Sequence, residues 1–309
     1  MDSARTRKIA VWIGQAILAG ILIWFVGRSV FLNWNELRRL DVAIRLRPFW
    51  IILAAIMIWT AYGILIEAWR RILIGWGQTL GYGPGMRIWC LSNLGRYLPG
   101  KVWSVVGLAV LAQRSGVDGW AAAGSALVMQ ALAVGTGALV VSIGAPGAAS
   151  PIALTVACTL AGCVILALAW PRAAERVVSV VRPGTEFRSL PLSVVLMGMA
   201  VTLVSWASYG AAFWLLAKGI FEATDFSMVQ ATGIFAAGYI VGLLALFAPG
   251  GVGVRELVFV ALLAPIFGSG GALALSIAAR LLLTATEASA ALVALFADRR
   301  KEFSIDRPA

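Results

Sequence analysis

Arg255 and Glu256 stand together one residue after Pro249-Gly250-Gly251-Val252-Gly253, in a stretch that is otherwise uncharged from Phe226 to Gly268. Further on, Arg280, Thr284 and Glu287 recur at i, i+4 and i+7, a spacing that sets all three on one face of a helix. Arg96 and Lys101 bracket Leu98-Pro99-Gly100, and Gln130 interrupts the apolar segment 120–143. Each of these side chains is costly against lipid and is expected to face protein or a wet cavity. Guanidinium and ammonium groups beside helix starts favour an anion, and a phosphate head group fits that chemistry. Arg255, Arg280 and Lys101 are the candidate phosphate ligands, with Arg96, Gln130 and Thr284 beside them. Glu256 and Glu287 either balance the arginines or meet a cationic head group. A purely structural reading stays open at several positions. Arg280 and Glu287 could neutralise each other, Arg255-Glu256 could be an ordinary helix cap, and Arg96 and Lys101 could snorkel to an interface.

Other chemistries are removed by residue type. The chain has no histidine, which eliminates Ser-His triads, His general bases and His metal ligands together. Its cysteines, Cys90, Cys158 and Cys163, lie in apolar runs without the paired spacing of a metal site or an extracellular disulfide framework. The run from Gly95 to Val102 resembles a phosphate-binding loop ending in Gly-Lys, yet it lacks the Ser or Thr for magnesium and follows no strand. Gly251-Val252-Gly253 lacks the third glycine of a dinucleotide fingerprint. The expectation is a protein that is not an enzyme, with no catalytic residues, metal or cofactor.

The elements that position the polar residues are set by the bilayer. Pro249, Gly250, Gly251 and Gly253 cannot continue a helix, and the backbone groups they free cannot be satisfied by lipid. A hydrocarbon core of roughly 30 Å needs about 20 helical residues, so the apolar runs on either side are poor full spans. The reading is a re-entrant helical hairpin, 226–268, whose tip is Pro249, Gly250, Gly251 and Gly253. A second hairpin, 86–113, has its tip at Pro99 and Gly100. An offset of 150 residues carries Pro99 onto Pro249, residues 49–68 onto 199–218, and residues 120–143 onto 270–293. It also places Gln130 under Arg280. This is the layout of internal repeats, about 49–143 and about 190–297.

Composition agrees. The 309 residues are 61% hydrophobic and only 13% charged, and no charged residue occurs from Gly119 to Trp170 or from Ser189 to Ala217. Charge-free runs of that length are bilayer spans. The net charge of +11 does not indicate nucleic acid, because Lys and Arg sit at span ends and in connectors. Full spans are expected at about 9–27, 49–68, 120–143, 152–170, 190–217 and 271–297, with an interfacial amphipathic helix at 32–47 and a loop at 75–85. The first span follows residues 1–8, and 298–309 forms a tail. The fold class is therefore an all-α polytopic membrane protein, one integral domain over 1–309, with about six spans and two hairpins as inverted repeats. Both termini are expected to be cytoplasmic, and inverted repeats put a substrate site near the midplane between the hairpin tips.

The segments Asn93-Leu-Gly-Arg-Tyr-Leu-Pro-Gly-Lys101 and Ala248-Pro-Gly-Gly-Val-Gly-Val-Arg-Glu-Leu257 resemble the lysylphosphatidylglycerol synthase transmembrane-region family, also called the flippase-like-domain family. The resemblance covers nearly the whole chain. It implies movement of a lipid with a polar head group between leaflets of a bacterial cytoplasmic membrane. It also makes a lipid-modifying enzyme, a glycosyltransferase or a second copy of the chain compatible partners. Bifunctional members carry a soluble aminoacyltransferase domain, which this sequence, ending twelve residues after Ala297, is expected to lack. The competing readings are a secondary transporter of a small anion and a non-catalytic partner that positions a lipid-modifying enzyme.

Overall fold

The computed structural model describes residues 46–97, 102–145, 190–221, 225–245, 249–251 and 253–305, with single positions at 155, 159 and 162. The expected span 9–27 and the tip residues Pro99, Gly100 and Lys101 lie outside the described residues, as do the expected span 152–170 apart from three single positions and the amphipathic helix 32–47 apart from residues 46 and 47. Everything regular among the described residues is helical, in seven α-helices and two short 3-10 turns.

Helix α1 is Pro48–Gly75, and its proline sits in the first turn, where a missing N–H leaves no partner unpaired. Helix α2 is Tyr82–Asn93, so the helix begins inside the expected loop 75–85. Pro84 falls within that first turn and is tolerated for the same reason. A 3-10 turn, Leu94–Tyr97, then precedes α3, Val102–Gln113. Helix α4, Gly119–Gly144, is capped by Asp118, whose Oδ1 accepts from the N–H groups of Trp120 and Ala121 at 2.9 Å each. Helix α5 is Leu192–Ile220. Helix α6, Met228–Leu244, starts from a capping box in which Ser227 and Gln230 bond reciprocally. A second 3-10 turn, Pro249–Gly251, leads to α7, Val254–Ile305. Gly268, at φ 70°, divides α7 into limbs 254–267 and 269–305, and Pro265 removes a helical hydrogen bond just before that kink.

Among the described residues, four helices are long and apolar enough to cross a membrane: α1, α4, α5 and the Val254–Leu295 part of α7. At 28, 26 and 29 residues, the first three measure about 42, 39 and 44 Å along the axis. Helices α2 and α3, 12 residues each, reach only about 18 Å, roughly half the hydrocarbon core. The order of elements recurs. Pro48, Tyr82 and Val102 open helices in the first half, and Leu192, Met228 and Val254 open the counterparts 144, 146 and 152 residues later.

Packing follows the same pairing. Helix α1 lies along α5, and α6 packs against α4, α5 and α7. At the α4–α6 crossing the backbones touch: a Cβ added to Gly144 would fall 2.2 Å from the Val229 carbonyl oxygen, and one on Gly233 would fall 2.4 Å from the Gly144 carbonyl carbon. Glycines permit this approach, the usual device of helix association in lipid. Around α5, α6 and α7 an aromatic core forms, with Phe213 stacked on Phe259 at 5.0 Å. The opposite faces carry exposed apolar side chains such as Ile52, Leu139, Ile143, Leu203 and Leu257. That is the surface a lipid solvent requires, whereas polar contacts are turned inward. Trp69, fully buried, donates to Ser125 Oγ at 2.7 Å and ties α1 to α4. Trp206 is buried as well, so Trp69 and Trp206 both serve the interior. Near the end of α1, Glu67 accepts from Arg70 and Arg71, a local ion-pair group at a span boundary.

Candidate functional site

The two helix breaks meet. The backbone of Gly250 lies beside Tyr97, close enough that an added Cβ would sit 3.6 Å from the Tyr97 ring. Gly250, Gly251 and Gly253 have φ of 58°, 74° and 82°, the left-handed region that glycine enters without steric cost. The first break is held from below by packing, because a Cβ on Gly95 would come within 2.8 Å of the Trp103 and Ser104 backbone. Sequence dictates each break locally, and the packing sets them against each other.

Charged side chains converge on this junction from three separate elements. Arg96, in the first 3-10 turn, donates from Nη1 to Glu287 Oε1 at 2.8 Å and from Nη2 to Asn93 Oδ1 at 2.8 Å. Tyr97 donates its hydroxyl to the other oxygen of Glu287 at 2.6 Å. Glu287 is 9% exposed, so both its oxygens are engaged where water is scarce. Opposite, Arg280 Nη1 bonds Glu256 Oε1, and Glu256 Oε2 accepts from the Gly253 N–H at 2.6 Å. Glu256 therefore caps the start of α7 and anchors an arginine at once. Thr284 donates to the Arg280 carbonyl at 2.9 Å.

Arg255 is the exception. Its Nη2 is buried without a hydrogen-bond partner, and its guanidinium carbon lies 4.7 Å and 5.0 Å from the ring centres of Phe235 and Phe259. Cation–π contact is worth about 0.5–2 kcal/mol. A charge at membrane depth costs at least about 2.5–3.5 kcal/mol on insertion scales. The aromatic faces offset only part of such a cost, and the carboxylates of Glu256 and Glu287 act on half-buried Arg255 as well. Its position in the first turn of α7 makes matters worse, since a helix start disfavours a cation by some 0.3–1 kcal/mol.

Two cavities open on this cluster. The larger, about 120 Å³, takes Arg96, Arg255, Glu287, Gln130, Asn93 and Tyr62 among its walls. The smaller, about 40 Å³, lies between Tyr97, Gly250, Glu256, Ser276, Arg280 and Thr284. Arg96, Arg255 and Glu287 border both. Gln130 lines the larger cavity and Ser276 the smaller, and Gln130 Oε1 and Ser276 Oγ are both buried without a hydrogen-bond partner.

The residues expected from sequence are thus distributed as follows. Arg96, Gln130, Arg255, Glu256, Arg280, Thr284 and Glu287 all line one of the two cavities, with Gly250 at the smaller one. Lys101 and the tip residues Pro99 and Gly100 fall outside the described residues. Arg280 and Glu287 share a helix face, but each is bonded to another residue: Glu256 and Arg96 respectively. The sequence reasoning missed Asn93, Tyr97 and the aromatic wall that includes Tyr62, Trp206, Tyr209 and Tyr239. Asn93 and Tyr97 were findable, because they stand three residues before and one after Arg96, on the turns that lead into a break.

Residues 11–286 match one family model, described as the lysylphosphatidylglycerol synthase TM region. The chain belongs to that family. The match spans both breaks and every residue of the charged cluster except Glu287, which follows its last matched position directly. A search of curated proteins finds no match. Family membership and the apolar helices of spanning length together make this a multi-pass membrane protein with a lipid-related role.

Proposed function

We propose that this family member is a lipid translocase that moves a phospholipid or lipid-linked polar head group between the leaflets of a bacterial cytoplasmic membrane. Helices α2–α3 and α6 with the first limb of α7 act as two re-entrant hairpins of opposite topology, and both termini face the cytoplasm. The short axes of α2 and α3 and the meeting of the two breaks support this arrangement. The observation that carries the reading is Arg255: a half-buried cation at a helix start that lines a cavity and whose Nη2 has no hydrogen-bond partner. Such a group is poorly satisfied by its own protein and is suited to an anionic head group. The head group would enter between the hairpin tips while the acyl chains stay against the exposed apolar faces. No group-transfer step is part of this reading. A homodimer, or a complex with a lipid-modifying enzyme or glycosyltransferase, is compatible with the lipid-facing surface.

The experiment is reconstitution of the purified chain in vesicles carrying traces of fluorescent phospholipid, with dithionite quenching from outside. Translocation raises the quenched fraction above the half reached in empty vesicles. A quenched fraction equal to that of empty vesicles for every lipid tried would remove the reading. Uptake of radiolabelled phosphate by the same vesicles would then favour a small-anion transporter built on the same arginine.

A further inference from the structure

The charged side chains that border the two cavities are Arg96, Arg255, Arg280, Glu256 and Glu287 among the described residues. Three positive charges face two negative ones. The negative groups are already assigned, Glu287 to Arg96 and Glu256 to Arg280, and neither carboxylate has an oxygen without a hydrogen bond. Among the described residues the surplus is therefore a single positive charge, and Arg255 is the cation whose Nη2 has no hydrogen-bond partner. With no histidine in the chain, no neighbouring imidazole adds a charge near neutral pH.

We propose that the site takes a head group of net charge −1, a phosphodiester with no compensating amine, seated on Arg255 in the larger cavity. The lipid part of this assignment rests on the translocase reading, whereas the charge part does not. A phosphodiester oxygen accepts from Arg255 Nη2, and the cluster becomes neutral. The neutral polar groups of the same wall, Gln130 and Asn93, are suited to hydroxyls on the head group. A zwitterion such as phosphocholine brings an ammonium for which both carboxylates are already occupied. An aminoacylated, cationic head group adds to the surplus. The inference thus separates this chain's ligand from the aminoacyl lipid in its family's description.

Isothermal titration of the detergent-solubilised full chain tests it. The probes are dioctanoyl phosphatidylglycerol, dioctanoyl phosphatidylcholine and glycerophosphoglycerol. Phosphatidylglycerol is expected to bind about ten- to a hundredfold tighter than phosphatidylcholine, because both present the same phosphodiester and only the second carries an ammonium that offsets its attraction to the surplus cation. Arg255→Gln collapses that ratio to near one. Gln130→Glu, which adds a carboxylate to the same wall, does so too and serves if the first variant does not fold. Equal binding of the two lipids by the wild type, or a ratio that survives both substitutions, overturns the proposal. Glycerophosphoglycerol binding as tightly as the lipid assigns a soluble source of the phosphodiester, and weaker binding assigns the lipid; both support the charge assignment. If no labelled lipid crosses in vesicles but the binding ratio holds, the translocase reading fails and this one stands.

Discussion

Arg96 and Glu287 are 191 positions apart in the chain and form a 2.8 Å ion pair that fastens the first helix break to the last long helix. The two partners are unequally buried, with side-chain exposures of 36% for Arg96 and 9% for Glu287. Removing one partner of a fully buried pair costs about 3–5 kcal/mol because the other is left uncompensated, and the exposure of Arg96 places this pair below that range. Arg96→Leu, which strands the more buried carboxylate on Tyr97 alone, is therefore expected to destabilise more than Glu287→Leu. Arg96→Leu combined with Glu287→Leu should recover part of the loss. Thermal unfolding midpoints in one detergent check the order, and a double variant worse than either single one would refute it.

Arg280 and Glu256 make the second link, between the two limbs of α7. Partners in one bonded pair couple by about 0.5–3 kcal/mol, so Arg280→Gln and Glu256→Gln should each lower stability while the double variant adds little to either. Glu256→Gln has a further consequence that Arg280→Gln lacks, because Glu256 also caps Gly253. Glutamine retains an acceptor oxygen for that N–H, which keeps the comparison fair. Additive losses would show that Arg280 is held by something other than Glu256. A double-mutant cycle on unfolding free energies decides between them.

The sequence already displayed what depends on local chemistry: the Pro-Gly breaks, the charge-free helices, and the placing of Arg280, Thr284 and Glu287 on one face. Helix α4 begins and ends one residue outside the span expected at 120–143, because Asp118 before it and Gly144 at its end are ordinary boundary signals. What stayed hidden depends on who meets whom. Nothing in the spacing says that Glu287 turns to Arg96 rather than to Arg280, since residues seven apart on one helix are two turns and about 10.5 Å apart along the axis. The aromatic wall was equally illegible. A tyrosine such as Tyr209 within an apolar span looks the same in sequence whether it faces lipid, core or cavity. Here it stacks on Phe235 at 5.2 Å and lines the larger space.

The α4–α6 crossing makes a prediction about packing alone. Gly233→Ala places a methyl group 2.4 Å from the Gly144 carbonyl carbon, a backbone atom that cannot rotate away. Overpacking of this kind costs about 1–3 kcal/mol and should part α6 from α4. Gly83→Ala is the matched control, because nothing lies within 4 Å of the added carbon and the residue is helical. It should be neutral or stabilising by up to about 1 kcal/mol. A Gly233→Ala protein as stable as the Gly83→Ala protein would mean that the two helices do not cross here.

The last prediction concerns the second break itself. Gly250 and Gly253 both hold left-handed backbone, but their surroundings differ: an added carbon at Gly250 meets the Tyr97 ring at 3.6 Å, an ordinary contact, and one at Gly253 meets nothing. Space therefore permits alanine at both positions, and only backbone conformation opposes it. The left-handed conformation costs a non-glycine residue roughly 1–2 kcal/mol, so Gly250→Ala and Gly253→Ala should lose similar stability. Asparagine, which visits that region more readily, should lose less at either site than alanine does. The ranking glycine, asparagine, alanine at each position is the signature of a conformational cost, readable from unfolding midpoints. If alanine equals glycine at Gly253, the chain does not take the left-handed turn that aims Arg255 at the cavity. The geometry of the anion site would then have to be rebuilt from a different tip.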